Sequence, residues 1–121
     1  HVAFAEGSSE PHYHVSDRKL KRGDPVLIDI GVVLDHYHSD MTRVFFFGEP
    51  ANELKKIYSI VHQAFDAAMT QCVPGAKIKD VDRAARGLIE EHGYGKNFTH
   101  GLGHGVGLEI HEAPRMRSVG A

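Results

Sequence analysis

Three histidines, His100, His104 and His111, stand in a short run that reads His-Gly-Leu-Gly-His-Gly-Val-Gly-Leu-Glu-Ile-His-Glu-Ala-Pro and ends at Pro114. Imidazoles near their ordinary pKa ligate metals and move protons around neutral pH. A lone histidine in a loop is usually solvated or bonded to backbone, but three among alternating glycines point to a site. Glycines at 101, 103, 105 and 107 argue against a helix, since each would cost roughly 1 kcal/mol there relative to alanine. His100 and His104 are therefore not a helical ligand pair. A two-residue glycine period suits extended backbone lying close to another strand or to a ligand. From Leu108 onward the alternation predicts a strand with Glu109 and His111 on one face, opposite Leu108 and Ile110.

A second group of donors lies earlier. Val26 to Val33 reads Val-Leu-Ile-Asp-Ile-Gly-Val-Val, a β-branched run continuous enough for a strand buried on both faces. Asp29 interrupts it, and a carboxylate there must be protonated, paired or metal-bound, because an isolated buried charge is costly. The chain turns at Leu34-Asp35-His36 and returns from Tyr37 to Phe47. Asp29 and Asp40 thus sit on opposite arms of a hairpin, with Ser39 and Thr42 as neighbouring hydroxyls. Facing carboxylates repel unless a positive charge lies between them, and one or two divalent cations would supply it. Pairing of one aspartate with Arg43, the other capping a turn, is the purely structural alternative.

The elements that must position these groups are legible in order. His1 to Glu6 predicts a short strand ended by Gly7-Ser8-Ser9, and the charged segment from Asp17 to Asp24 an exposed connection. A helix begins at Asn52 as its N-cap and carries Leu54, Ile57, Tyr58, Val61, Ala64, Phe65, Ala68 and Cys72 at helical spacing, until Pro74-Gly75 stops it. A second runs from about Ile78 to His92, with Asp80 and Asp82 early, Val81, Ala84, Ala85, Leu88 and Ile89 as its buried stripe, and Gly93 as its stop. His62 and His92 fall on polar faces or ends. A strand, a hairpin, two helices and further strands amount to an α+β fold, with helices covering one face of a mainly antiparallel sheet.

With 121 residues, the chain suffices for one domain or part of one. A net charge of -2 leaves no basic footprint for nucleic acid or an anionic membrane. No run approaches the roughly 18 apolar residues of a membrane span. The single cysteine, Cys72, cannot form an internal disulfide and reads as a small core hydrophobe in a reducing, cytoplasmic compartment.

Three motifs in order, Val-Leu-Ile-Asp29-Ile-Gly, Tyr37-His-Ser-Asp40-Met-Thr-Arg43 and the run from His100 to Pro114, resemble the signatures of the creatinase, prolidase and methionine aminopeptidase superfamily, the "pita-bread" enzymes. Pro11-His12-Tyr13, Ser-Asp-Met-Thr-Arg and His-Glu-Ala-Pro-Arg are most similar to Xaa-Pro peptidases. The resemblance implies metal-dependent hydrolysis of the bond before proline, in Xaa-Pro dipeptides or in peptides with proline second, by a hydroxide bridging two metal ions. It implies Asp29 as a metal ligand, Asp40 as the ligand shared by both ions and His104 as the sole histidine ligand. His12, His100 and His111 would line the substrate site, His12 and His111 contacting substrate and stabilising the tetrahedral intermediate or shuttling protons. Mostly oxygen donors with one imidazole suit Mn²⁺, with Co²⁺, Fe²⁺ and Zn²⁺ as alternatives. Ser39 and Thr42 are placed to hydrogen-bond the ligating carboxylates.

The resemblance also implies two glutamate ligands, which Glu109 and Glu112 do not match and which should lie beyond Ala121. The chain is then expected to be a fragment of a catalytic domain, lacking an N-terminal domain and inactive by itself, from a parent that forms a homodimer or larger oligomer. Methionine aminopeptidase, a creatinase-like amidinohydrolase without metal, and a non-catalytic binding module are the alternatives on this fold; intact Asp29, Asp40 and His104 weigh against the last two. His36 stands at a turn position where relatives often have glycine.

Overall fold

Alternating β-branched and apolar residues draw the first segment into an antiparallel sheet. The computed structural model describes residues 1–9 and 17–117, and its contacts divide into two compact units, 1–55 and 56–121. In the first unit, β1 (Val2–Phe4), β2 (Pro25–Ile30) and β5 (Met41–Phe46) form a three-stranded sheet in the order β1-β2-β5. Between β2 and β5, β3 (Val33–Leu34) and β4 (Tyr37–His38) make a small separate hairpin.

Several expectations are corrected here. The strand from His1 is shorter than its pattern, because Ala5 takes a φ of 52° and the chain turns into a 3-10 helix over Ala5–Ser9. The run after Pro25 is not one strand buried on both faces: it breaks after Ile30, and its residues are only half-buried or exposed. Register explains the pattern. Val26↔Phe45, Ile28↔Arg43 and Ile30↔Met41 share one face, and Leu27↔Val44 and Asp29↔Thr42 the other. The first face leaves Ile30, Met41 and Phe45 exposed, since no described element of this unit covers it. The charged connection, too, is less loose than its composition suggests. Arg18 forks onto Asp24 at 2.8 and 3.2 Å, pairs with Glu6 at 2.9 Å and lies 5.3 Å from the centre of the Phe4 ring. The Arg18 bond, then the Lys21 N–H, hold the Asp24 carboxyl below its usual pKa.

At the tip of the small hairpin, Asp35 and His36 have φ values of 49° and 70° between the paired residues Leu34 and Tyr37. Two left-handed residues in a two-residue loop are the signature of a type I′ turn, which favours Asp-Gly. His36→Gly is expected to stabilise the protein by about 1 kcal/mol by removing a side chain from left-handed backbone, read as a rise in the urea midpoint; an unchanged midpoint would count against strain at this turn.

Two helices dominate the second unit, α1 (Asn52–Gln71) beginning at the end of the first and α2 (Ile78–Glu91) lying wholly within the second. The first helical bond of α1 runs from Lys55 N–H to Ala51 O, so Ala51 takes the cap position and Asn52 lies one residue inside. Ile60, Ala64 and Ala68 of α1 and Val81, Ala85 and Ile89 of α2 form the core, with Leu88, Tyr94, Phe98 and Leu102 packed against it. Apolar residues encircle more of α1 than its core face needs. Tyr58, Val61 and Phe65, expected in the stripe, are exposed, as is Cys72, which lies one residue past the helix end and is not a core residue. α2 ends as its sequence predicts. Gly93, at φ 86°, donates to Glu90 O, and Tyr94 N–H reaches back to Ile89 O, the paired bonds of a Schellman cap. β6 (Gly103–Gly105) and β7 (Glu112–Met116) complete the unit as an antiparallel pair. Two helices with antiparallel sheets make the fold α+β, as expected.

Candidate active site

In the first unit the hairpin register does the positioning. Asp29 pairs with Thr42 across β2 and β5, and Thr42 Oγ1 donates to Asp29 Oδ1 at 3.0 Å. Asp40 stands immediately before β5, two residues ahead of Thr42. Gly31 makes room opposite: a Cβ there would lie 2.2 Å from Ser39 O and 3.8 Å from the Asp40 Cα. Of the two hydroxyls expected near the carboxylates, Thr42 is bonded to one. Ser39 is not: its Oγ accepts from Val32 N–H at 3.1 Å, and its own N–H donates to Val32 O, tying the strands where β2 ends. Arg43 donates to Thr42 O at 2.8 Å.

In the second unit two of the four glycines lie against a neighbouring strand as the spacing predicts. A Cβ on Gly105 would meet Ala113 O at 2.3 Å and one on Gly101 would meet Met116 O at 2.9 Å; one on Gly107 would meet the Glu112 side-chain carboxylate at 2.6 Å, and one on Gly103 would meet nothing within 4 Å among the described residues. His104 sits on β6 opposite Arg115, beside an irregularity in the register. Its Nδ1 lies 2.9 Å from Gly105 O, and His100 Nδ1 lies 2.7 Å from Gly101 O. A carbonyl only accepts, so each Nδ1 carries the proton and each Nε2 the lone pair, the tautomer a metal-ligating histidine presents. His111 packs edge-on against His104, ring centres 4.3 Å apart and planes at 66°.

The strand expected through Glu109 and His111 is absent. Residues 107–111 form a bend, because Gly107 N–H bonds Glu109 O and the Glu112 carboxylate accepts from Glu109 N–H at 3.1 Å. Glu112 thus braces the loop that presents His111, and Leu108 and Ile110 are exposed. His12, with its neighbours Pro11 and Tyr13, lies outside the described residues. His62 pairs with Asp66 and His92 with Leu88 O on the surface. One group went unnoticed in the sequence: Asp82 is fully buried and held by Arg86. The four-residue spacing of opposite charges on the face of Val81, Ala85 and Ile89 was the available signal.

The profile of metallopeptidase family M24 matches residues 1–120. The chain belongs to this family. An uncharacterised peptidase of Staphylococcus epidermidis is 49% identical over 98% of the chain, which spans 34% of that protein; one from Staphylococcus aureus is 48% identical over the same share. The M24 chain is also similar to the prolidase of Pyrococcus furiosus, with a TM-score of 0.90 at 46% identity over 96% of the chain and 34% of the prolidase. It matches an X-Pro aminopeptidase of Thermotoga maritima with a TM-score of 0.90 at 43% identity, over 96% of the chain and 33% of that protein. A methionine aminopeptidase of Rickettsia prowazekii gives 0.70 at 31% identity over 84% of the chain and 40% of that enzyme. The fold is that of the pita-bread peptidases, and the chain spans about a third of the relatives it matches.

Proposed function

We propose that the protein to which this chain belongs is a metal-dependent Xaa-Pro peptidase that hydrolyses the bond before proline in dipeptides or at the N-termini of longer peptides. The observation that carries this reading is the likeness to a prolidase and an X-Pro aminopeptidase at 46% and 43% identity, against 31% for a methionine aminopeptidase. In this reading Asp29, Asp40 and His104 hold divalent ions, Mn²⁺ in the first instance, and two glutamates beyond residue 121 complete the set. The donors fit: hard carboxylate oxygens and one imidazole with its lone pair on Nε2. When bound, two such ions supply a hydroxide nucleophile near neutral pH and polarise the scissile carbonyl.

The chain's own residues do the rest. Thr42 orients the Asp29 carboxylate, and Gly105 O orients His104. His100, His111 and His12 line the substrate site, where an imidazole N–H of His111 or His12 is suited to stabilise a developing oxyanion or carry a proton to the leaving amine. The 121-residue chain is part of a catalytic domain in this reading, inactive alone, from a cytoplasmic homodimer. Among the described residues, no helix is long and apolar enough to cross a membrane.

The test is hydrolysis of an Xaa-Pro dipeptide and an Xaa-Pro tripeptide by the full-length protein, with Mn²⁺ and then with chelator. Metal-dependent cleavage is expected, and the preferred substrate separates dipeptidase from aminopeptidase. Cleavage confined to methionyl peptides, or none with metal bound, would overturn the substrate assignment. Within the same protein, Thr42→Val keeps the strand's β-branched shape while removing the bond to Asp29. It is expected to lower Mn²⁺ affinity about 10- to 100-fold, measured by titration calorimetry; unchanged affinity would remove Asp29 or its hydroxyl partner from the site.

A further inference from the structure

Arg86, on α2, forks onto the fully buried Asp82, Nε at 3.0 Å and Nη2 at 3.1 Å. The same guanidinium reaches away from the helix: Nη1 donates to Phe98 O at 2.8 Å and Nη2 to His100 O at 2.9 Å. Its Cζ also lies 4.2 Å from the centre of the Phe98 ring, and that ring meets the His100 imidazole edge-on at 5.0 Å and 86°.

We infer that Arg86, held by Asp82, is the positioning residue that sets His100: it clamps the backbone of residues 98–100 to α2 and seats the His100 ring against Phe98. The inference deepens the peptidase reading and rests on it for the role of His100. The chemistry supports a device for precision rather than a generic anchor. Asp82 neutralises the cation and fixes the fork, so the remaining N–H groups are aimed before the loop arrives. A flexible ammonium could satisfy Asp82 but could not also hold two carbonyls and stack on a ring. Side chains that must act on substrate need this support from a rigid element, since a misplacement of about 1 Å costs about 100-fold in rate.

Arg86→Gln alone would take the arginine from a buried carboxylate, so the informative variant is the neutral pair Asp82→Asn with Arg86→Gln, with Arg86→Lys as the charge-retaining control. In the full-length protein the neutral pair is expected to lower kcat/KM on an Xaa-Pro peptide about 100-fold, but less than about threefold when His100 is already alanine. Arg86→Lys should recover only part of the loss. Equal losses in both backgrounds would mean that Arg86 acts on general stability and would overturn the proposal. Amide hydrogen exchange supplies a readout without catalysis. Residues 98–101 should exchange about tenfold faster or more in the neutral pair while the amides of α1 and α2 keep their protection. Uniformly faster exchange, or none, would overturn the positioning role. Should the wild-type protein cleave no Xaa-Pro peptide, the peptidase reading falls while exchange still decides whether Arg86 holds the segment.

Discussion

Gly105→Ala is expected to part β6 from β7 and destabilise the second unit by about 3 kcal/mol, at the upper end of what forced overpacking usually does. The new Cβ would lie 2.3 Å from Ala113 O, 2.7 Å from Ala113 C and 3.0 Å from Glu112 O. All three are backbone atoms of the partner strand, so no side-chain rotation relieves the overlap. The strands cannot slide either, because Gly105 pairs with Glu112 while His104 pairs with Arg115, and the register irregularity between them is built around this approach. His104 is the adjacent residue, so its imidazole would move with the strand. Gly103 is the control. Among the described residues a Cβ there meets nothing within 4 Å, so Gly103→Ala should leave the free energy of urea unfolding within about 0.5 kcal/mol of wild type, as a substitution away from special features does. Equal tolerance of the two substitutions would sink this account of the glycine period.

That contrast marks how far the amino-acid sequence could be read. Glycine spacing foretold close backbone approach, and two of the four glycines, Gly101 and Gly105, make it; nothing local distinguishes Gly103 from Gly105, because the partner strand decides which one is crowded. The hairpin of Asp29 and Asp40 was legible because β-branched runs flank a recognisable turn, and its register then placed Thr42 on Asp29. Ser39 was misjudged for the same kind of reason as Gly103. Its hydroxyl had a backbone partner, Val32, that lies past the end of β2 at Ile30. The alternation from Leu108 to His111 imitates a strand, yet the Glu112 carboxylate and Gly107 fold it into a loop. Asp82 passed for an ordinary acid near the start of its helix, beside Asp80, which the helix dipole favours in the first turn. Its burial depends on Arg86 reaching residues twelve and fourteen positions further along. Periodicity carries the elements; contacts between them carry the details of the site.

The different duties proposed for two adjacent rings give the other large expected effect. In the full-length protein, His104→Ala should reduce Mn²⁺ affinity by more than about 100-fold, the upper range for losing even an outer hydrogen-bonding partner of a ligand. His111→Ala should leave that affinity within a few-fold and lower kcat by about 100- to 1,000-fold, the loss that follows removal of one preorganised donor to a developing oxyanion. The two imidazoles lie 4.3 Å apart, ring centre to ring centre, so proximity alone predicts similar outcomes. What separates them is how each is held. The bond between His104 Nδ1 and Gly105 O fixes its ring on a paired strand with the lone pair on Nε2, as a ligand requires. His111 comes from the bend that Glu112 braces and is exposed, as a group that must meet an incoming peptide requires. Titration calorimetry with Mn²⁺ and steady-state rates on one Xaa-Pro peptide, run on both variants, distinguish the roles. If His111→Ala lost the metal as completely as His104→Ala, the division of labour would be wrong and the edge-on pair would be better read as two ligands.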